Sequence, residues 1–256
     1  MCVYDFKINI KIPYKFCDFR PAFGEIFCED LQNYDFWGTI DLDIVLGKIS
    51  HFIDDDILCR YDKILARDHF CIYRNSSEVN SRYKCQQKRG NNIYKAVFSD
   101  EKIYAFGEMG PWGVYQIWKY NGWNMYLAPI CADIAVRYNH FNINGEPKIH
   151  KQIFEYTQSG DLVRYGLKNN EIVKTEFMYM HLQKRSMKKQ VDLESTYYIV
   201  PNAFVNKTNK KELKEEILHY NSWDIFARDY LRIIQRGKNK CMKLVKQYGN
   251  YLRTFY

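Results

Sequence analysis

Two carboxylates one residue apart, Asp41 and Asp43, interrupt the apolar and aromatic run of residues 34–47. Burying unpaired charge is costly, so a cationic partner is expected beside them. In extended chain, residues i and i+2 face the same way. A hard divalent ion takes oxygen ligands, so this pair can share one Mn²⁺ or Mg²⁺. The rival reading is a hydrogen-bonded pair at the end of a buried strand, with no ion. An Asp-x-Asp arises by chance about once in a chain of this size, and Asp54, Asp55 and Asp56 supply a second one. There Ile49, Phe52, Ile53 and Ile57 fall at helical spacing, which predicts a solvated helix face rather than a site.

Other groups could do chemistry. A helix is expected to start at Arg20-Pro21, where proline is tolerated, with Phe23, Ile26, Phe27 and Leu31 on its buried face. Lys15, Asp18 and Arg20 stand at or just before its first turn, and a helix N-terminus with two cations attracts phosphate. Alternatively Asp18 caps the helix and the two cations are surface charges. Glu108, in a segment with three glycines (107, 110 and 113), and Asp133, inside the apolar run 131–136, are the acids considered for deprotonating a hydroxyl. His181 lies between a hydrophobic strand and a basic turn, as either a satisfied polar residue or a ligand. His69 and Cys71 would share a strand face, but a buried free cysteine is more often packing than a nucleophile. Trp112, Tyr115, Trp118, Trp123 and Tyr126 suit either sugar stacking or a core.

The elements that must position these groups can be read from periodicity. Phe6, Ile8, Ile10 and Ile12 alternate with polar residues up to Pro13, predicting an opening strand. After the carboxylate pair, residues 48–60 read as an amphipathic helix, 62–66 and 70–75 as strands, and 76–98 as mostly helical with a turn at 90–92. From 149 to 183 the pattern is hairpin-rich, with a turn at Ser159-Gly160-Asp161. From Lys210 onward the pattern is helical, and residues 231–256 carry seven Lys or Arg and no acid around an apolar stripe. Such a helix suits an anionic membrane surface, or packing on the protein's own core. The expected organisation is one α/β domain over 1–200 and a helical region over 201–256.

Composition narrows the function classes. With 256 residues, 46% hydrophobic and 17% aromatic, the chain can bury a sizeable core, which excludes disorder as its main description. Eight cysteines without a Cys-x-x-Cys pair predict reduced thiols in a cytoplasmic protein rather than zinc or a disulfide framework. No apolar run approaches the ~20 residues that cross a bilayer. A formal charge of +8 favours an acidic partner. Nucleic acid is the weaker choice, because the basic excess lies in one C-terminal segment without a recognition motif.

Several of these stretches together carry a resemblance. Tyr14-Lys15-Phe16-Cys17-Asp18-Phe19-Arg20-Pro21, then Asp35-Phe36-Trp37-Gly38 leading into Asp41-Leu42-Asp43, are joined by His69-Phe70 with Tyr73-Arg74-Asn75, Ala132-Asp133-Ile134 and His181-Leu182-Gln183-Lys184-Arg185. From about residue 14 to 186 this pattern resembles bacterial glycosyltransferase-like proteins of capsule and cell-surface polysaccharide clusters, whose motifs are similar to those of GT-A enzymes. The resemblance implies a mixed sheet flanked by helices, a divalent metal, a nucleotide-diphosphate sugar as donor and a glycan or lipid-linked acceptor. It implies Asp43 as a direct metal ligand, Asp41 as a contact to ribose or metal-bound water, and His181 as the late histidine that completes the metal site. It also places Asp18 and Arg20 on the nucleotide sugar. Only 13 residues precede Tyr14, so the N-terminal nucleotide-binding unit is expected to be short or missing. An inactive relative that only binds carbohydrate is the rival function.

Overall fold

The structure is a computed structural model that describes residues 4–146, 149–191, 194–207 and 211–222, with residues 230, 234, 235, 237 and 239. In chain order its strands are β1 Phe36–Ile40, β2 Ile44–Leu46, β3 Lys63–Ile64, β4 Phe70–Arg74, β5 Met125–Tyr126, β6 Cys131–Asp133, β7 Gln152–Tyr156, β8 Leu162–Lys168, β9 Glu171–Phe177, β10 Tyr179–His181, β11 Lys188–Gln190, β12 Tyr197–Val200 and β13 Ala203–Asn206. They divide among three sheets, each combining parallel and antiparallel pairs, so the α/β class holds with three mixed sheets in place of one. The chain forms two compact units, Met1–Leu42 with Ile53–Pro129 and Asp43–Phe52 with Ile130–Tyr256.

In the first unit the sheet order is β1-β4-β3-β5, with only the β3/β5 pair parallel. Trp37 on β1 stacks on Tyr73 of β4 at 4.6 Å, and Phe19 stacks on Phe98 at 4.2 Å, inside a core that also holds Phe106 and Trp118. Trp118 is therefore core rather than a sugar platform. The opening strand expected over residues 6–12 does not form. Tyr4 and Phe6 instead pack on Tyr94 and Phe98 of the helix Ile93–Ser99, and the Asn9 amide donates to the Phe98 carbonyl at 2.8 Å. Phe6 and Ile10 pack on the core while Ile8 and Ile12 are left exposed, so the apolar alternation is not matched by alternating burial.

The expected helix start at Arg20-Pro21 is also moved. A 3₁₀ helix begins at Pro13, runs to Ala22 with Pro21 inside it, and gives way to the short helices Phe23–Ile26 and Cys28–Leu31. Gly24 lets this segment come close to the sheet, since a Cβ there would stand 2.4 Å from both the Asn80 Oδ1 and the Trp37 Nε1 that donates to it. The second Asp-x-Asp behaves as expected: Asp54 is exposed and caps the helix Asp55–Arg60 by accepting from the Ile57 amide at 2.8 Å. The continuous helix over 48–60 does not form, because Ile49–His51 is a separate 3₁₀ turn and the capped helix starts after it.

In the second unit, β10 lies between β2, antiparallel, and β6, parallel. The larger sheet runs β11-β13-β12-β7-β8-β9. The expected hairpin turns at residues 157–161, where Asp161 accepts from the Ser159 and Thr157 hydroxyls. The helix Leu213–Tyr220 buries Ile217 against Ile153 of β7 and Tyr198 and Val200 of β12. Since β13 pairs along β12 and this helix covers the same sheet, a division at residue 200 would cut through a hairpin. Most of the basic helix expected over 231–256 lies outside the described residues. Among the described residues no helix is long and apolar enough to cross a membrane.

Candidate metal centre

Register brings the polar groups of the second unit together. On β10, His181 is directly opposite Asp133 of β6 and Ile44 of β2, and the Leu182 amide donates to the Asp43 carbonyl at 2.9 Å. Cross-strand partners share a face, so the His181 ring meets the Asp133 carboxylate with Asp43 just before the start of β2. His181 Nδ1 lies 3.0 Å from Asp133 Oδ1, and its Nε2 lies 3.5 Å from Asp43 Oδ1. Asp133 is held from two further sides: Gln183 Nε2 donates to Oδ1 at 2.6 Å and Asn144 Nδ2 donates to Oδ2 at 2.9 Å. Asp43 Oδ2 accepts from the Lys184 amide. Asp133 and His181 are buried and Asp43 is half-buried.

The turn that follows β10 has unusual backbone. Gln183 (φ 50°) and Lys184 (φ 62°) both occupy the left-handed region, although neither is glycine. Such residues cost on the order of 1–3 kcal/mol each and persist where the surroundings demand them. Here they deliver the Gln183 amide to Asp133 and the Lys184 N–H to Asp43.

In the first unit, Asp41 follows β1 and is gripped by Arg20 at 2.6 Å, while its amide donates to the His69 carbonyl at 2.9 Å. Burial pulls the Arg20 guanidinium down, and the bond and charge of Asp41 outweigh it, so Arg20 ends above its ordinary value. Lys15 and Asp18 do not face a ligand. Both are fully buried, paired at 2.9 Å, and Lys15 spends its other donors on the Val97 and Lys102 carbonyls. Asp18 accepts from the Tyr104 and Phe106 amides at 3.0 and 2.9 Å. With three donors and both carboxylate oxygens satisfied internally, the pair ties the 3₁₀ helix to residues 97–106. Glu108 is half-buried in the loop before the helix Val114–Tyr120.

Sequence reading missed Asp68, Gln183 and Asn144. Asp68 is buried, and its Oδ2 has no hydrogen-bond partner among the described residues. Burial drives its carboxyl up to about 6, although the charges of Lys63 and Arg20 pull it down. A Cβ on Gly107 would fall 1.1 Å from that oxygen, so only glycine fits. Cys71, 3.5 Å from Asp68 Oδ1, has its thiol pushed up by burial and is packing rather than a nucleophile. None of the three had a local signal: Gln183 lies past the end of β10 in left-handed backbone, where strand periodicity does not apply. A further histidine–carboxylate group sets an exposed His51 at 2.8 Å from Glu176 and 3.9 Å from Asp161, both half-buried. Lys48 lies 3.6 Å from Asp161, so it reads as a surface ion-pair network.

Searches of curated proteins and of solved structures give no match. A family model does: it spans residues 2–208, most of the chain and every residue of both groups just described, and the chain belongs to the family of unknown function DUF6625.

Proposed function

We propose that this protein is a metal-dependent glycosyltransferase of GT-A type, moving a sugar from a nucleotide-diphosphate donor to a glycan or lipid-linked acceptor. The observation that carries the reading is the approach of His181 Nε2 to Asp43 Oδ1 at 3.5 Å. Two ligands on one ion, at bonds of about 2.1 Å, stand roughly 3.0–3.4 Å apart at octahedral or tetrahedral angles. The pair therefore fits one ion after a shift of a few tenths of an ångström. A mixed carboxylate and imidazole set suits Mn²⁺, and two protein ligands leave positions open for diphosphate and water. A bound ion would neutralise the charge that develops on the leaving diphosphate.

The chain's own residues have distinct parts in this reading. Asp43 and His181 hold the ion. In the first unit Arg20 is held by Asp41 at 2.6 Å, and neither is given a part at the ion. Lys15 and Asp18 support this segment from beneath. Synthesis of a surface polysaccharide at the inner, cytoplasmic face of the membrane is consistent with the basic tail.

A thermal-shift and donor-hydrolysis screen of nucleotide sugars, with and without Mn²⁺, tests the proposal. Asp43→Asn should abolish the Mn²⁺-dependent shift with little change in apo melting temperature, and His181→Ala should weaken it. Asp54→Asn, a cap on the exposed helix, should leave it intact. A purely structural Asp43 would show the reverse, a destabilised apo protein and no metal response in any variant.

A further inference from the structure

We propose that Asp133 acts through His181 as a positioning residue, with Gln183 and Asn144 as its anchors, and not as the base that activates an acceptor. The inference rests on the metal reading and assigns the elements that tune that site. A general base needs an oxygen that can reach substrate. Asp133 is buried, Oδ1 takes the Gln183 amide and faces His181 Nδ1, and Oδ2 takes the Asn144 amide. A carboxylate receiving two amide donors is fixed as an acceptor, so the group facing it at Nδ1 must be an N–H. That choice of tautomer leaves Nε2 as the nitrogen with a lone pair, and Nε2 is the atom that faces Asp43. A ring held in this way presents one defined nitrogen and orientation to an ion, which is what a carboxylate behind a ligating histidine supplies.

Backbone geometry supports the assignment independently. Gln183 reaches Asp133 from a left-handed backbone position, and Lys184, also left-handed, turns its amide to Asp43. One turn thus fixes the carboxylate behind the ring and the carboxylate in front of it. Asn144 is placed by its own amide donating to the Asp133 carbonyl at 2.8 Å.

The full chain can be titrated with Mn²⁺, counting free ion by electron paramagnetic resonance, for wild type, Asp133→Asn and Gln183→Met. Asp133→Asn keeps the shape and removes the charge, and should weaken Mn²⁺ by roughly 10–100-fold. Gln183→Met keeps the length, removes one of the two amide anchors and should weaken it by a smaller factor. With Zn²⁺ as a diamagnetic probe, ¹⁵N spectra of the His181 ring should show ligation at Nε2 in wild type and a mixture of both nitrogens in Asp133→Asn. Unaltered Mn²⁺ affinity in both variants, or wild-type ligation through Nδ1, overturns this role while the ion itself stands. A wild-type chain that takes up no Mn²⁺ overturns both.

Discussion

At the residue scale, buried charge is treated in two opposite ways. Lys15 and Asp18 are buried as a satisfied pair, so removing one partner should expose the full penalty on the other. Lys15→Met is expected to cost about 3–5 kcal/mol in urea unfolding. A Lys15 that served a ligand would lose donor binding with stability nearly unchanged. Asp68 is buried with its Oδ2 lacking any hydrogen-bond partner among the described residues, and its carboxyl is raised from 3.8 to about 6. Because the folded protein holds that proton more tightly than the unfolded chain, the contribution of Asp68 to stability is full below pH ~4. It is lost as pH rises through 6, a fall of about 3 kcal/mol at ~1.4 kcal/mol per pH unit. Other carboxylates titrate over the same range, so the measurement is a difference. The stability of Asp68→Asn minus that of wild type, from urea titrations at pH 4, 5, 6 and 7, should increase by about this amount and then level off. A flat difference would mean that the carboxylate is satisfied in a way its surroundings do not reveal.

At the element scale, the helix Leu213–Tyr220 belongs to the six-stranded sheet. Ile217 is fully buried on Ile153, Tyr198 and Val200, so Ile217→Ala should cost about 2–5 kcal/mol in the denaturation of the sheet. A helix standing apart from residues 1–200 would tolerate that change. The contrast shows what sequence could and could not supply. Strand β4, the hairpin turn at 157–161 and the solvated run around Asp54 were legible, because a short apolar run, a Ser-Gly-Asp turn and charges beside helically spaced apolar residues are local signals. The strand expected over 6–12 failed because alternation of residue type is not alternation of burial: Phe6 and Ile10 pack on the core, while Ile8 and Ile12 stay exposed. Lys15, Asp18 and Arg20 looked alike in sequence; partners some eighty residues away, on Val97, Tyr104 and Phe106, made the first two structural. The approach of His181 to Asp43 was expected from resemblance, whereas Gln183 reaches Asp133 from a left-handed backbone position that no local residue type announces, and Asn144 joins it from eleven residues away.

At the scale of the whole molecule, the charge is unevenly spread. Of 38 Lys and Arg against 30 Asp and Glu, seven basic residues and no acid fall in residues 231–256. Residues 1–230 therefore carry 31 basic against 30 acidic side chains, a net of +1 out of the total of +8. Any general affinity for an anionic surface is thus expected to reside in that final segment, where each cation near an acidic bilayer contributes on the order of 1 kcal/mol. An enzyme acting on lipid-linked acceptors would gain from such attachment by raising its effective concentration at the membrane. A chain ending at residue 230 should lose binding to phosphatidylserine vesicles, while the full chain binds at low ionic strength and releases as salt shortens the Debye length from about 30 Å at 0.01 M to about 8 Å at 0.15 M. Neutral phosphatidylcholine vesicles should bind neither form. The Mn²⁺-dependent thermal shift should survive the truncation, because Asp43, Asp133 and His181 lie before residue 230. Equal vesicle binding by the two forms would instead place the lipid contact on the remaining body and remove the case for a basic membrane anchor.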